Sequence, residues 1–319
     1  MRTVVVDSQI LSTFQECEEK YRLTFIENIR PAWPADPLTK GQVLHSGLEA
    51  YYKHLKKGLE TEQTRNLIHN QGVELAIEAA NFEAARNGID FALSEEVITV
   101  MGEYLYFWKD DDIVPIAIEE PFLINLYEDE ELRILYAGKI DLVATAARYQ
   151  WKPTPFDNKS QGRRNTPSGR SNQFFGYTTV LDSNVLIVNT IGFQKSLTPA
   201  EKFKRHPLSY PVEYRRHWAE NTVKTVFRLV RALDTNTFEE NITSCDKYSG
   251  CVMKKICESI TPEAKEWKIQ QEYIIGEPWD VTKLLSLKNE SKDGDGKETV
   301  TDLTSGDSIR HIGSNDTNV

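Results

Sequence analysis

Two aspartates and a lysine near the middle of the chain have the types and spacing of a divalent-cation site. Asp141 lies in GKIDLV, flanked by apolar residues, and a carboxylate set in core-forming sequence needs a compensating partner such as a metal ion. Asp157 and Lys159 lie in DNKS, two positions apart, so on a strand they project to the same face. With neighbouring strands aligned, the two carboxylates converge on one hard cation. Oxygen ligands suit magnesium or manganese, and Lys159 presents positive charge beside it. Such a cation acidifies water and neutralises a phosphodiester in its transition state. Either motif alone is weak, since a D-x-K triplet arises by chance and an apolar-flanked aspartate is often only a cap or turn residue.

A second cluster is made of thiols. CDKYSGCVMKKIC, residues 245–257, holds three of the four cysteines, and the fourth, Cys17, lies near the opposite end of the sequence. The spacing Cys245-x5-Cys251-x5-Cys257 is wider than the pairs of a zinc knuckle, which sit about two to four residues apart. An iron–sulfur cluster tolerates wider loops. MRTVVVDSQ lacks the apolar core of a secretory signal and no later stretch approaches a membrane span, so a cytoplasmic, reducing location is expected. There, cysteines serve as thiolate ligands more readily than as disulfides.

The elements that must position these groups can be read from periodicity. Ile10, Leu11, Phe14, Cys17 and Tyr21 recur at helical spacing behind a Ser8 cap, which places Cys17 on a buried stripe. A second helix begins near Thr39 with Val43, Leu44, Leu48, Tyr51 and Tyr52 on one side, while Gly41, His45 and Glu49 share another face. Two further helices fill residues 60–109, separated at Asn87-Gly88. Then PIAIEEPFLINLY, LRILYAGKIDLVATA and QWKPTPFDNKS read as an antiparallel meander whose first turn is EDEE. Pro153 and Pro155 imply a bulge or a late start for the third strand. A basic loop, GRRNTPSGRS, precedes a short helix, NQFFGYTTVLD, and an apolar strand, NVLIVNTIGF, that joins the same sheet. Residues 213–233 form a long helix leading toward the cysteines.

The formal charge of −10 excludes a surface that coats nucleic acid by bulk electrostatics, but it leaves room for a local basic groove. Arg163, Arg164 and Arg170 are candidates for it. A second basic stretch, Lys202, Lys204, Arg205, Arg215 and Arg216, interleaves with Phe203, Tyr210 and Tyr214 in the manner of a single-strand binding surface, or forms solvated loops. The polar segment from about Ser286 reads as a disordered tail.

In chain order the motifs are GxxxH, IEEPF, GKIDLV, DNKS and QFFGY. On these the sequence resembles the PD-(D/E)XK nucleases, in particular the RecB/AddB-like branch that includes CRISPR-associated iron–sulfur exonucleases and phage-encoded relatives. The resemblance implies an α/β fold: a mixed central sheet, an antiparallel meander plus a parallel strand, flanked by helices. It is a restriction-endonuclease-like core whose N- and C-terminal segments are joined by a metal cluster. One nuclease domain would span residues 1–280, with a helical insertion at about 58–112, an iron–sulfur segment at 241–260 and a disordered tail at 281–319. It implies that His45, Asp141 and Asp157 are ligands for Mg2+ or Mn2+ and that Lys159 orients water or steadies the phosphate. Glu119 corresponds to an acid on the first strand, with Glu120 as the competing choice, and Gln173 and Tyr177 correspond to a QxxxY motif beside the metal. Cys17, Cys245, Cys251 and Cys257 would hold a [4Fe-4S] cluster, with zinc as the alternative.

The implied activity is a metal-dependent DNA exonuclease acting on single strands or ends, in repair, recombination or phage DNA processing. Its partners would be DNA and a repair, replication or CRISPR-adaptation protein, with no membrane, and it would act in the host cytoplasm if phage-encoded. Two rivals are a non-cleaving, nuclease-derived DNA-binding accessory subunit and a zinc-stapled structural protein.

Overall fold

The computed structural model describes residues 1–32, 36–61, 64–162, 167–247 and 250–281. Strand β1 (Arg2–Val6) opens the chain, followed by helices α1 (Ser8–Glu16) and α2 (Glu18–Tyr21), which runs into a π-helical turn, and a short strand β2 (Ile29–Pro31). Three long helices follow: α3 (Asp36–Glu60), α4 (Arg65–Arg86) and α5 (Phe91–Phe107). Gly88, with φ of +60°, turns the chain between the last two. Then come β3 (Val114–Glu128), β4 (Leu132–Thr145), β5 (Thr154–Gln161), α6 (Asn172–Val180) and β6 (Val185–Gly192). The chain continues through α7 (Pro199–Lys202), β7 (Phe203–Ser209), α8 (Val212–Thr235), α9 (Lys254–Cys257), α10 (Pro262–Glu272) and β8 (Tyr273–Ile275).

The expected mixed α/β sheet is present. Its main path runs β1-β4-β5-β6-β7, with β3 on the free edge of β4. β3, β4 and β5 form the antiparallel meander, and β6 lies parallel to β5. Because β3 follows β4 along most of its length, β1 and β5 share the other edge. β1 takes Leu132 to Tyr136 in parallel, and β5 takes Leu142 to Ala144 in antiparallel register. Asp141 lies at the fork where β5 peels away. Continued one step past the Leu142–Phe156 pair, the β4–β5 register sets Asp141 opposite Asp157, on a shared face.

One core lies between this sheet and α1, α6 and α8, around Phe14, Tyr136, Phe174 and Val226. Another lies between the sheet and α3, α4 and α5, around Leu44, Leu48, Met101 and Phe156. A third, smaller cluster gathers Leu23, Ile29, Met253, Ile256 and Tyr273, beneath the two-stranded sheet of β2 and β8. Among the described residues, no helix is long and apolar enough to cross a membrane.

Several expectations are corrected. Asp7, not Ser8, caps α1, its carboxylate accepting from Ile10 N at 2.7 Å. Cys17 is not on a continuous helical stripe: it is extended (φ −166°, ψ 124°), half-buried, and separates α1 from α2. As Pro153 and Pro155 imply, however, the third strand of the meander does start late, at Thr154, after Gln150 and Trp151 both turn through left-handed backbone. The stretch after Lys202 is not a nucleic-acid loop but the edge strand β7. Arg205 is buried there, paired with Asp111 at 2.5 Å and stacked 3.9 Å above the Trp108 ring. Arg215 is equally buried, donating to Asp182 at 2.7 Å and to the Thr178 carbonyl at 3.2 Å. Lys202 is paired with Glu103 at 2.7 Å. The tail at 281–319 lies outside the described residues from 282 onward.

Helix α6 sits unusually close to the sheet because Gly176 faces the Tyr136 ring. A Cβ added at Gly176 would lie 2.4 Å from Tyr136 Cε1. Tyr136 is itself locked, edge-on to Trp218 and donating to the Asn172 carbonyl at 2.9 Å. Gly176→Ala is therefore expected to destabilise the protein by about 1–3 kcal/mol through overpacking, read as a lower urea midpoint with an unchanged m-value.

Candidate active site and cysteine-lined cavity

The site is built by α3 on one side, α6 on the other and the fork of the sheet between them. Asp157 is fully buried and Asp141 is 7% exposed. Where β5 leaves β4, the Asn158 N–H has no strand partner on that side, and it donates to Asp141 Oδ2 at 2.8 Å. The Asn158 carbonyl accepts from His45 Nε2 at 2.9 Å. Since a carbonyl can only accept, that bond fixes the proton on Nε2 and turns Nδ1 inward, 3.6 Å from Asp141 Oδ2 and 3.9 Å from Glu119 Oε1. One residue, Asn158, thus orients two of the expected ligands.

Of the two glutamates on β3, Glu119 is the one whose carboxylate groups with His45 and Asp141, each offering a ligand atom within 4.8 Å of the others. It does so from left-handed backbone, φ +51°, in the middle of a strand. For a non-glycine residue this conformation costs about 1–3 kcal/mol. Lys139, two residues before Asp141 on the same face of β4, pairs with the Glu119 carboxylate. The sequence reading passed over Lys139, although its place in GKIDLV was the available signal.

On the opposite side, Lys159 Nζ lies 3.0 Å from both oxygens of Asp157 and donates to Gln173 Oε1 at 3.0 Å. Gln173 Nε2 in turn donates to the Tyr177 hydroxyl at 2.8 Å. That hydroxyl donates to the Lys139 carbonyl at 2.6 Å and lies 3.4 Å from Asp141 Oδ1. The i, i+4 pair on α6 therefore connects the lysine to the carboxylates. Beneath the site, Asn189 Nδ2 donates to Asn158 Oδ1 at 2.8 Å and to the Tyr104 hydroxyl at 2.6 Å, and Tyr104 meets Tyr52 at 2.9 Å. This buried chain reaches from the site into α5 and α3, and nothing in local sequence spacing foretells it.

The charges are strongly coupled. Burial pushes Asp141 up, to about 7, with Asp157 and Glu119 adding and His45 opposing. Burial also raises Asp157, against Lys159. Burial disfavours a charged His45, but Asp141, Glu119 and Asp157 outweigh it and push the imidazole up to about 9. For Glu119, burial is outweighed by His45 and Lys139, which hold its carboxyl below the usual range.

The residues fit a hard divalent cation. His45 Nδ1 and the carboxylates of Glu119 and Asp141 form a mixed nitrogen and oxygen donor set, and the buried Asp157 Oδ2 lies beside them with the Lys159 ammonium at 3.0 Å. Arg170 is exposed beyond α6 and donates to the Tyr214 hydroxyl at 3.4 Å, whereas Arg163 and Arg164 lie outside the described residues.

All four cysteines are free and line one small cavity, together with Lys20, Glu240, Asn241 and Lys254. Cys17 is pinned there by the C-terminal segment. Asn241 N donates to its sulfur at 3.4 Å, Asn241 Nδ2 and Ser244 Oγ donate to the Glu16 carbonyl at 2.8 and 2.9 Å, and Arg228 pairs with Glu18 at 2.6 Å. Burial pushes the Cys257 thiol up to about 12, helped by Glu19, Glu240 and the neighbouring sulfurs. Burial, with Cys251 and Cys17, also raises Cys245. Thiols so placed become thiolates only beside a cationic centre.

The chain beneath the site gives a direct check. Asn189→Ala leaves both Asn158 Oδ1 and the Tyr104 hydroxyl short of a buried partner. It should lower unfolding free energy by about 1–3 kcal/mol in urea titration, and a change inside experimental error would show the chain carries no weight.

No curated protein sequence matches this one. The sequence profile of the PD-(D/E)XK nuclease superfamily, however, matches residues 8–258, a span that takes in the carboxylate site and all four cysteines. With a match over most of its length, the chain belongs to the PD-(D/E)XK nuclease superfamily.

Proposed function

We propose that this nuclease is a magnesium- or manganese-dependent DNA exonuclease acting on single strands or DNA ends, its N- and C-terminal segments clasped by a [4Fe-4S] cluster, in the manner of the RecB/AddB-like branch. The observation that carries the catalytic part is the meeting of His45, Glu119 and Asp141 within 4.8 Å, with Asp157 and Lys159 alongside. In this reading His45, Asp141 and Asp157 hold the cation, and Glu119 completes the set directly or through water. The bound cation supplies Lewis-acid charge to the phosphodiester and an acidified water. Lys159, held between Asp157 and Gln173, presents its ammonium to the developing negative charge or orients the attacking water. Gln173 and Tyr177 fix that lysine and Asp141 relative to each other. The reading takes the described chain as one nuclease domain into which α4 and α5 are inserted.

The cluster is supported by the four thiols lining one cavity, with Cys17 brought to the three later cysteines from between α1 and α2. Its role in this reading is structural. It ties α1 and α2 to the segment after α8.

Two experiments test the proposal. End-labelled linear single-stranded DNA should be shortened with Mg2+ or Mn2+ and spared in EDTA, while covalently closed single-stranded circles should persist. Asp141→Asn and Lys159→Ala should each lower the rate by at least about a hundredfold. Full magnesium-dependent activity in both variants would remove the assignment, and DNA binding without any cleavage by the native protein would favour the accessory-subunit reading. Separately, anaerobically purified protein should be brown and contain iron and sulfide. Cys251→Ala should lose both together with stability, and undiminished iron in that variant would reject the cluster.

A further inference from the structure

Across α6 from the carboxylate site lies a cleft of about 1050 Å³, bounded by α1, α6 and α8 and closed on one side by Lys247 and Gly250 of the cysteine-bearing segment. Its charge is opposite to that of the molecule. Arg170, Lys20 and Lys247 line it against one carboxylate, Glu16, which Lys20 already neutralises at 2.8 Å, whereas the whole chain carries −10. Its aromatic surface is stiff. Tyr214 is 48% exposed, with Phe175 tilted behind it at 6.1 Å, and Phe175 is stacked on Trp218 at 5.7 Å and 7°. Arg170 donates to the Tyr214 hydroxyl, so a cation and a ring face are presented side by side. The cleft and the site share α6: Asn172 and Phe175 line the cleft, while Gln173 and Tyr177, on the other side of the same helix, face Lys159 and Asp141.

We propose that this cleft is a track for single-stranded DNA across α6 from the scissile phosphate, with phosphates on Arg170 and Lys247 and an unpaired base on Tyr214. The inference rests on the nuclease reading for which strand it holds. A ring such as Tyr214 can stack only on a base that is not already stacked in a duplex, and cations spaced along a cleft neutralise a backbone without reading sequence. The cysteine-bearing segment then forms one wall of the track as well as closing the fold.

The test is binding of a fluorescent oligo-dT of about 20 nucleotides, measured by anisotropy in EDTA with the full-length protein. Tyr214→Ala should weaken binding about tenfold, and Tyr214→Trp should restore it. The double variant Arg170→Ala/Lys247→Ala should flatten the plot of log K against log salt by about 1.4, two lost phosphate contacts at about 0.7 each. Unchanged affinity in Tyr214→Ala together with an unchanged salt slope in the double variant overturns the track. So does tighter binding of a duplex, or of oligo-rU of the same length. Hydrolysis of bis(p-nitrophenyl) phosphate by the native protein with Mn2+ tests the nuclease reading alone. Native protein that binds oligo-dT through Tyr214 yet hydrolyses neither substrate leaves the track standing and removes the nuclease reading.

Discussion

Two carboxylates buried opposite each other at a fork in a sheet cannot both be charged unless the surrounding protein supplies compensation, and much of this structure is organised around supplying it. Asp157 is wholly shielded from solvent and Asp141 nearly so. The compensation arrives from both faces of the sheet. Lys159 comes from β5 itself, steadied by Gln173 from α6. His45 comes from α3, steadied by the Asn158 carbonyl, and the Asn158 N–H caps Asp141 directly. The helical layers are thereby tied to the sheet by polar contacts as well as by apolar packing. Asn189, Tyr104 and Tyr52 extend the tie through the second core, and the contact of Gly176 with Tyr136 sets the height of α6 in the first.

Glu119 shows the same constraint acting on the backbone. A strand that kept regular geometry would hand its neighbours' faces to alternate residues, and here the chain instead adopts left-handed torsions at a non-glycine position beside the carboxylates. The conformation is locally unfavourable. It persists where the side chain gained is one that pairs with Lys139 and approaches His45.

Much of this was legible in the sequence because the signals were local. Alternation over PIAIEEPFLINLY and LRILYAGKIDLVATA marks two long strands, the two-residue spacing of Asp157 and Lys159 marks one face, and the four-residue spacing of Gln173 and Tyr177 marks another. What escaped was decided by partners far away in the chain. Arg205 looks solvated in FKRH, yet Asp111, 94 positions earlier, and Trp108 bury it. The run of valines in β1 is short and polar-flanked, and it becomes a strand because the first half of β4 offers an unpaired edge. Cys17 fits a helical stripe by spacing, but the segment around Asn241 holds it in extended backbone. That Glu119 rather than Glu120 groups with His45 and Asp141 follows from the β3–β4 register, which pairs Ile118 with Leu142 and Glu120 with Ile140, and register is set by the partner strand.

The contacts that pin the first thirty residues have a consequence for how the protein is made. β1 needs β4, β2 needs β8, Glu18 needs Arg228, and the Asp7 carboxylate accepts from Trp279, 272 positions away. A ribosome delivers β4 well before Arg228, β8 and Trp279, so the opening segment emerges early and completes its pairing late. Pairing over such separations predicts slow closure of the fold, with the edge of β1 exposed until β4 reaches it.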